Sequence, residues 1–210
     1  MRVFVAINEK TTTAFCRRLD QACLFLPQKT VIHIDVSDGV WTPIKSVISK
    51  KGVISHKCFF YAVHLMLPWR KIIASQWYDE MFSLIYFHAC EVHDWALIKK
   101  RAQKHKQALG AVIAVSDKNY KEILLPSFVK HILVLAVPAG KSGQSFSHRA
   151  LSMISFLKKK YPHVTLTVDG GMNERTAKLC KKAGADAIVS ASYIWHSESP
   201  TQAYQALKKI

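Results

Sequence analysis

His33-Ile34-Asp35-Val36-Ser37-Asp38-Gly39 closes a short apolar run with a histidine and a carboxylate two residues apart. Side chains two apart on a strand share a face, so His33 and Asp35 can converge on one ion or one substrate. The pattern recurs downstream. His64 ends the run Phe59-Phe60-Tyr61-Ala62-Val63, and Asp169 ends Val164-Thr165-Leu166-Thr167-Val168 just before Gly170-Gly171. Apolar runs and amphipathic stretches alternate along the whole chain. Strands are expected at 3–7, 31–36, 59–65, 84–88, 111–115, 132–137, 164–168 and 187–190. Helices are expected at 13–26, near Val47, and at 69–79, 94–109, 119–124, 147–160, 174–183 and 201–209. Eight such units in 210 residues predict a (β/α)8 TIM barrel spanning 1–210 as a single domain, with an open doubly wound sheet as the alternative.

Composition agrees with one sizeable core, since half of the residues are hydrophobic. Met1 to Ile7 is too short for a signal segment, and no window approaches the ~18 apolar residues of a membrane span. A cytoplasmic protein without a membrane partner is expected. Five cysteines, odd in number and lacking a Cys-x-x-Cys pair, argue against a disulfide framework or a thiolate zinc site. They read as reduced, buried packing residues. The net charge of +16 gathers in runs such as Lys158-Lys159-Lys160, Lys181-Lys182 and Lys208-Lys209. Solvated helix faces explain these runs better than a nucleic-acid footprint does, because aromatics are not interleaved with them.

In a barrel, active sites lie at the C-terminal ends of the strands, where His33, Asp35, His64 and Asp169 all fall. One such residue alone reads as a capping or hydrogen-bonding group. Four from three strand ends point to chemistry. Two imidazoles and two carboxylates suit one divalent ion, zinc, manganese or iron(II), better than calcium or magnesium. Gly140-Lys141-Ser142-Gly143-Gln144, Gly170-Gly171 and Ser190-Ala191-Ser192 also follow strands, and such turns present backbone N–H groups to a phosphate.

The ordered set His33-Ile34-Asp35-Val36-Ser37-Asp38-Gly39-Val40-Trp41-Thr42-Pro43, Val63-His64-Leu65-Met66, Gly140 to Phe146, Val168-Asp169-Gly170-Gly171 and Ala183-Gly184-Ala185-Asp186 resembles the signatures of ribulose-phosphate 3-epimerases over nearly the whole chain. The resemblance implies a barrel of the ribulose-phosphate-binding type that inverts carbon 3 of a ketopentose phosphate. It implies His33, Asp35, His64 and Asp169 as metal ligands, with Asp35 and Asp169 also the catalytic acid and base on opposite substrate faces. A Lewis-acidic ion would stabilise the enediolate between the two proton transfers. Substrate contacts carried over are Asn8, His64, Met66, Gly140, Ser142, Gly143, Gly170, Gly171, Ala191 and Ser192. His88, in Phe87-His88-Ala89-Cys90-Glu91, is expected to be a buried hydrogen-bonding residue at the rim rather than a fifth ligand. Self-association into a homo-oligomer is a further family expectation.

The chain departs from the family pattern around the sugar. Ser37 and Leu135 stand where methionines are usual, Asn8 where serine is, and Ile44 where asparagine is; Ser142 and Ala191 each replace a phosphate-loop glycine. These changes keep open an epimerase for another ketose phosphate, such as allulose 6-phosphate. A catalytically retired basic barrel that binds nucleic acid or another polyanion is the reading outside enzymology.

Overall fold

Eight strands pair in parallel in sequence order, and the first closes on the last: β1 (Arg2–Ala6), β2 (Val31–Ser37), β3 (Phe60–Met66), β4 (Leu84–His88), β5 (Ala108–Ala114), β6 (His131–Leu135), β7 (Thr165–Asp169) and β8 (Ala187–Ser190). This computed structural model describes residues 1–40, 42, 45–46, 56–74, 77–138 and 145–210. The helices are α1 (Thr12–Cys23), α2 (Trp69–Ile73), α3 (Trp95–Lys104), α4 (Arg149–Lys160), α5 (Glu174–Ala183), α6 (Ser192–Trp195) and α7 (Pro200–Lys209). The closed topology selects the barrel over the open sheet. The helix expected near Val47 lies outside the described residues.

Period-2 alternation sorts each strand into two cores. Outward residues such as Ile32, Ile34, Leu166 and Val168 pack beneath the helices with Phe15, Leu19, Ile98 and Leu157. Inward residues, among them Phe4, Tyr86, Val112, Leu133 and Val189, fill the barrel. The helices are anchored by local signals. Asn173 accepts from Thr176 N (3.0 Å) while the Thr176 hydroxyl accepts from Asn173 N (2.9 Å), a reciprocal cap at the start of α5. Asn173→Ala is expected to cost about 1 kcal/mol, measurable as a lower midpoint in equilibrium urea unfolding.

Several expected boundaries shift. The helix expected at 94–109 stops at Lys104 because Lys106 takes a positive φ of 55°, and β5 begins at Ala108 instead of Ala111. The segment 119–124 forms turns rather than a helix, and 69–79 is helical only to Ile73. The cysteines are less buried than expected. Cys180 is buried, but Cys23 and Cys90 are exposed, since they occupy a helix terminus and a 3-10 turn rather than inward positions. The lysine runs do sit on helix ends, in the last turns of α4, α5 and α7, where cations complement the helix dipole. Lys158 goes further and binds both carboxylate oxygens of Asp186, whose Oδ2 also accepts from Leu166 N.

Candidate active site

β2 presents His33 and Asp35 inward, and parallel register sets Asp35 beside His64 of β3. Asp169 closes the group from β7, on the opposite side of the mouth. His33 Nε2 lies 3.2 Å from Asp35 Oδ1 and 3.7 Å from Asp169 Oδ2. His64 Nδ1 lies 2.9 Å from the same Asp35 oxygen. One donor atom from each of the four falls within 4.8 Å of the others. An ion with ligand distances near 2.0–2.2 Å sets its donors about 3–4 Å apart, so the chemistry and spacing of this set fit a divalent metal.

Tyr86 forms the floor. Its ring lies 6.2 Å from that of His33, and its hydroxyl donates to Thr167 Oγ1 at 3.3 Å. Behind His64, on the side away from Asp35, the Nε2 atoms of His64 and His88 are 2.9 Å apart.

A cavity of about 180 Å³ opens above the four residues. Asn8, Met66, Gly170, Gly171, Ala191 and Ser192 line it with His64. Gly140, Ser142 and Gly143 lie outside the described residues, as does Ile44. Gly171 has a φ of +67°, and a Cβ there would stand 2.6 Å from the backbone N of Phe146. The Asp169-Gly170-Gly171 turn is thereby packed against the segment that returns from β6. A larger open groove of about 900 Å³ between α5 and α7 has only Glu174 as its acidic side chain and no histidine, so it offers no comparable chemistry.

Thr42 and Ser46 also line the cavity and were not anticipated. The Ser37 and Thr42 hydroxyls are 2.5 Å apart. Ser46 donates to the Asp35 carbonyl and accepts from Ser37 N, both at 2.8 Å. Ser46 returns to the end of β2, and its hydroxyl bridges the backbone on either side of Val36. A serine nine residues beyond another carries no local signal of such a return. Ser37 itself is 3% exposed, so its hydroxyl is committed to these contacts.

The two carboxylates are electrostatically unlike. Burial raises the Asp35 carboxyl, but hydrogen bonds and charge from His33 and His64 outweigh it and hold the group well below the usual carboxylate range. Burial and then the charge of Asp35 push Asp169 up to about 6. Burial opposes the charged form of His33, yet the bond to Asp35 leaves its pKa raised. Burial, and then the neighbouring His64, lower His88 well below the ordinary imidazole value. Pairs of titrating groups driven apart in this way mark acid–base sites. An ion must displace the proton from His33, whose pKa is raised above the ordinary imidazole value, and from Asp169, pushed up to about 6. Zinc or manganese affinity is therefore expected to fall from neutral pH downward, and by more than about tenfold per pH unit below 6. Chelator-competition titrations from pH 5 to 8 check this, and an affinity unchanged down to pH 5 would contradict it.

Fold and mouth together define a (β/α)8 barrel enzyme with a metal-competent His2Asp2 cluster. The family model "Ribulose-phosphate 3 epimerase family" matches residues 14–195. The chain belongs to the ribulose-phosphate 3-epimerase family, and with it to the isomerases. It is 31% identical over 186 residues to the ribulose-phosphate 3-epimerase of Schizosaccharomyces pombe, covering 84% of this chain and 80% of that one. Identity to the Chlamydia pneumoniae protein of that name is 29% over 184 residues, covering 80% and 77%. Among solved structures, a 3-hexulose-6-phosphate synthase superposes with a TM-score of 0.65 at 16% identity, over 100% of this chain and 99% of the other. KGPDC from Streptococcus mutans gives 0.67 at 12%, over 99% and 95%. These two likenesses establish the fold. Among the described residues, no helix is long and apolar enough to cross a membrane.

Proposed function

We propose that the protein interconverts D-ribulose 5-phosphate and D-xylulose 5-phosphate, with Asp35 and Asp169 as the two proton carriers. The observation that carries this reading is the pair of carboxylates approaching His33 Nε2, at 3.2 and 3.7 Å, from different strands of the barrel mouth. One carboxylate takes the proton from carbon 3, beside the ketone, and the other returns a proton to the opposite face, inverting the centre. Asp35 is ionised, the form a base requires, and the two histidines that keep it so also lower its proton affinity. Asp169, pushed up to about 6 by burial and by Asp35 when no ion is bound, has the higher proton affinity of the two carboxylates. His33, Asp35, His64 and Asp169 would hold a divalent ion, with zinc, iron(II) or manganese matching the nitrogen and oxygen donors. When bound, that ion supplies Lewis-acid stabilisation of negative charge on the substrate oxygens. Met66 and Leu135 give the cavity an apolar wall that limits water at the reacting carbon. Gly170, Gly171, Ala191 and Ser192 are assigned to the substrate phosphate.

A second reading, epimerisation of a hexulose phosphate such as allulose 6-phosphate, is favoured by Asn8, which lines the cavity with an amide able to hydrogen-bond a sugar hydroxyl. Proton NMR in deuterium oxide with zinc- or manganese-loaded protein separates the two. Faster loss of the carbon 3 signal from ribulose 5-phosphate supports the first reading, faster loss from the hexulose phosphate supports the second, and no loss from either removes both.

A further inference from the structure

Resting on the metal-site reading above, we propose that His88 is a positioning residue that holds the ring of His64 with Nδ1 turned toward the ion. His88 ends β4, a strand that contributes nothing to the four-residue cluster itself. It is 1% exposed, and its ring stacks on that of His64 with centroids 5.0 Å apart and planes 30° apart.

His64 has two ring nitrogens with two different neighbours. Nδ1 faces Asp35 Oδ1 at 2.9 Å, inside the cluster, whereas Nε2 faces His88 Nε2 at 2.9 Å, behind it. A neutral imidazole carries one N–H and one lone pair. For Nδ1 to offer its lone pair to a cation, the proton must reside on Nε2. His88 Nε2 is the acceptor placed to receive that proton, which fixes both the tautomer and the rotation of the ring. Turning the ring over would set a carbon against His88 and take Nδ1 out of the cluster.

His33 provides the contrast. Its Nε2 faces both carboxylates, yet its other nitrogen, Nδ1, is buried with no hydrogen-bond partner in the described structure. Packing against Tyr86 supports that ring. Of the two histidines, His64 is therefore the one oriented by a dedicated hydrogen bond. His88 cannot double as a ligand in this arrangement, because its Nε2 meets the nitrogen of His64 that points away from Asp35.

The test compares wild type with His88→Leu, which removes the acceptor, and His88→Gln, which replaces it with an amide oxygen. Zn²⁺ and Mn²⁺ affinities come from competition with a chromophoric chelator. The state of the His64 Nε2–H comes from nitrogen–proton correlation spectra of the Zn²⁺-loaded proteins. His88→Leu is expected to bind both ions about 10–100-fold more weakly and to lose the downfield shift and slow solvent exchange that a hydrogen bond to residue 88 gives this proton. His88→Gln is expected to recover most of the affinity and the hydrogen-bonded Nε2–H signal. Undiminished affinity in His88→Leu, with the His64 Nε2–H signal unmoved, would overturn the proposal. If His88→Leu does not fold, His88→Phe takes its place with the same two outcomes. Wild type that takes up neither ion would instead overturn the metal-site reading itself, and the role of His88 with it.

Discussion

Asp169→Asn is expected to slow the interconversion of ribulose 5-phosphate and xylulose 5-phosphate by about 10²–10⁴-fold, the usual contribution of a positioned acid–base group. Asparagine keeps the volume of the side chain, so the turn into Gly170-Gly171 should survive. It can neither remove nor return a proton at carbon 3. The effect should also be one-sided. Each epimer exposes its carbon 3 proton to a different carboxylate, so with Asp35 intact one of the two epimers should still exchange that proton with solvent deuterium while inversion is lost. Asp35→Asn should show the opposite preference. It should also weaken metal uptake more than Asp169→Asn does, because Asp35 Oδ1 lies within 3.2 Å of both histidines whereas Asp169 Oδ2 stands 3.7 Å from His33. Proton NMR of each pure epimer in deuterium oxide reads both rates. Equal, undiminished inversion in both variants would remove the two carboxylates from the mechanism.

Gly110→Ala is expected to destabilise the barrel by about 3 kcal/mol, at the upper end of ordinary overpacking, and Gly110→Val by more. Gly110 lies beside Tyr86 in the β4–β5 register. A Cβ at 110 would stand 2.3 Å from Tyr86 Cδ1 and 2.5 Å from Cε1. The ring has no easy retreat, since it is fully buried, its hydroxyl bonds to Thr167, and His33 lies above it. For a protein of this size, 3 kcal/mol lowers the melting temperature by about 6–12 °C. Tyr86→Leu should itself destabilise, yet the double variant should be markedly less unstable than the two single changes added together. Strict additivity in thermal unfolding would show that the ring and the glycine do not share the space. Because Tyr86 supports His33, Gly110→Ala should also weaken metal uptake.

Legibility of the fold followed the range of the forces involved. β4 and β8 fall at 84–88 and 187–190, where the apolar runs lie, and α5 begins at Glu174, directly after its Asn173 cap. The boundary between α3 and β5 was harder to read. Ala108-Leu109-Gly110 is apolar in a way that suits either element, and the decision falls to the positive φ at Lys106 and to pairing with β4 and β6. The candidate site divides in the same way. His33, Asp35, His64 and Asp169 were readable as strand-end residues of matching chemistry. Thr42 and Ser46 were not, because their contacts with Ser37 and the Asp35 carbonyl depend on a chain reversal without its own sequence signal.

The alternation of elements, the eightfold count and the two histidines and two aspartates at strand ends can be read locally, since period and residue type are properties of short stretches. How those residues differ from one another depends on the closed barrel. Closure of the sheet carries Asp169 across to His33, 136 positions earlier in the chain, and burial there separates the two carboxylates in proton affinity. The parallel stagger of β3 and β4 brings His88 behind His64, and the register of β4 and β5 makes Gly110 yield to Tyr86. These are distances between strands, and no stretch of sequence contains them.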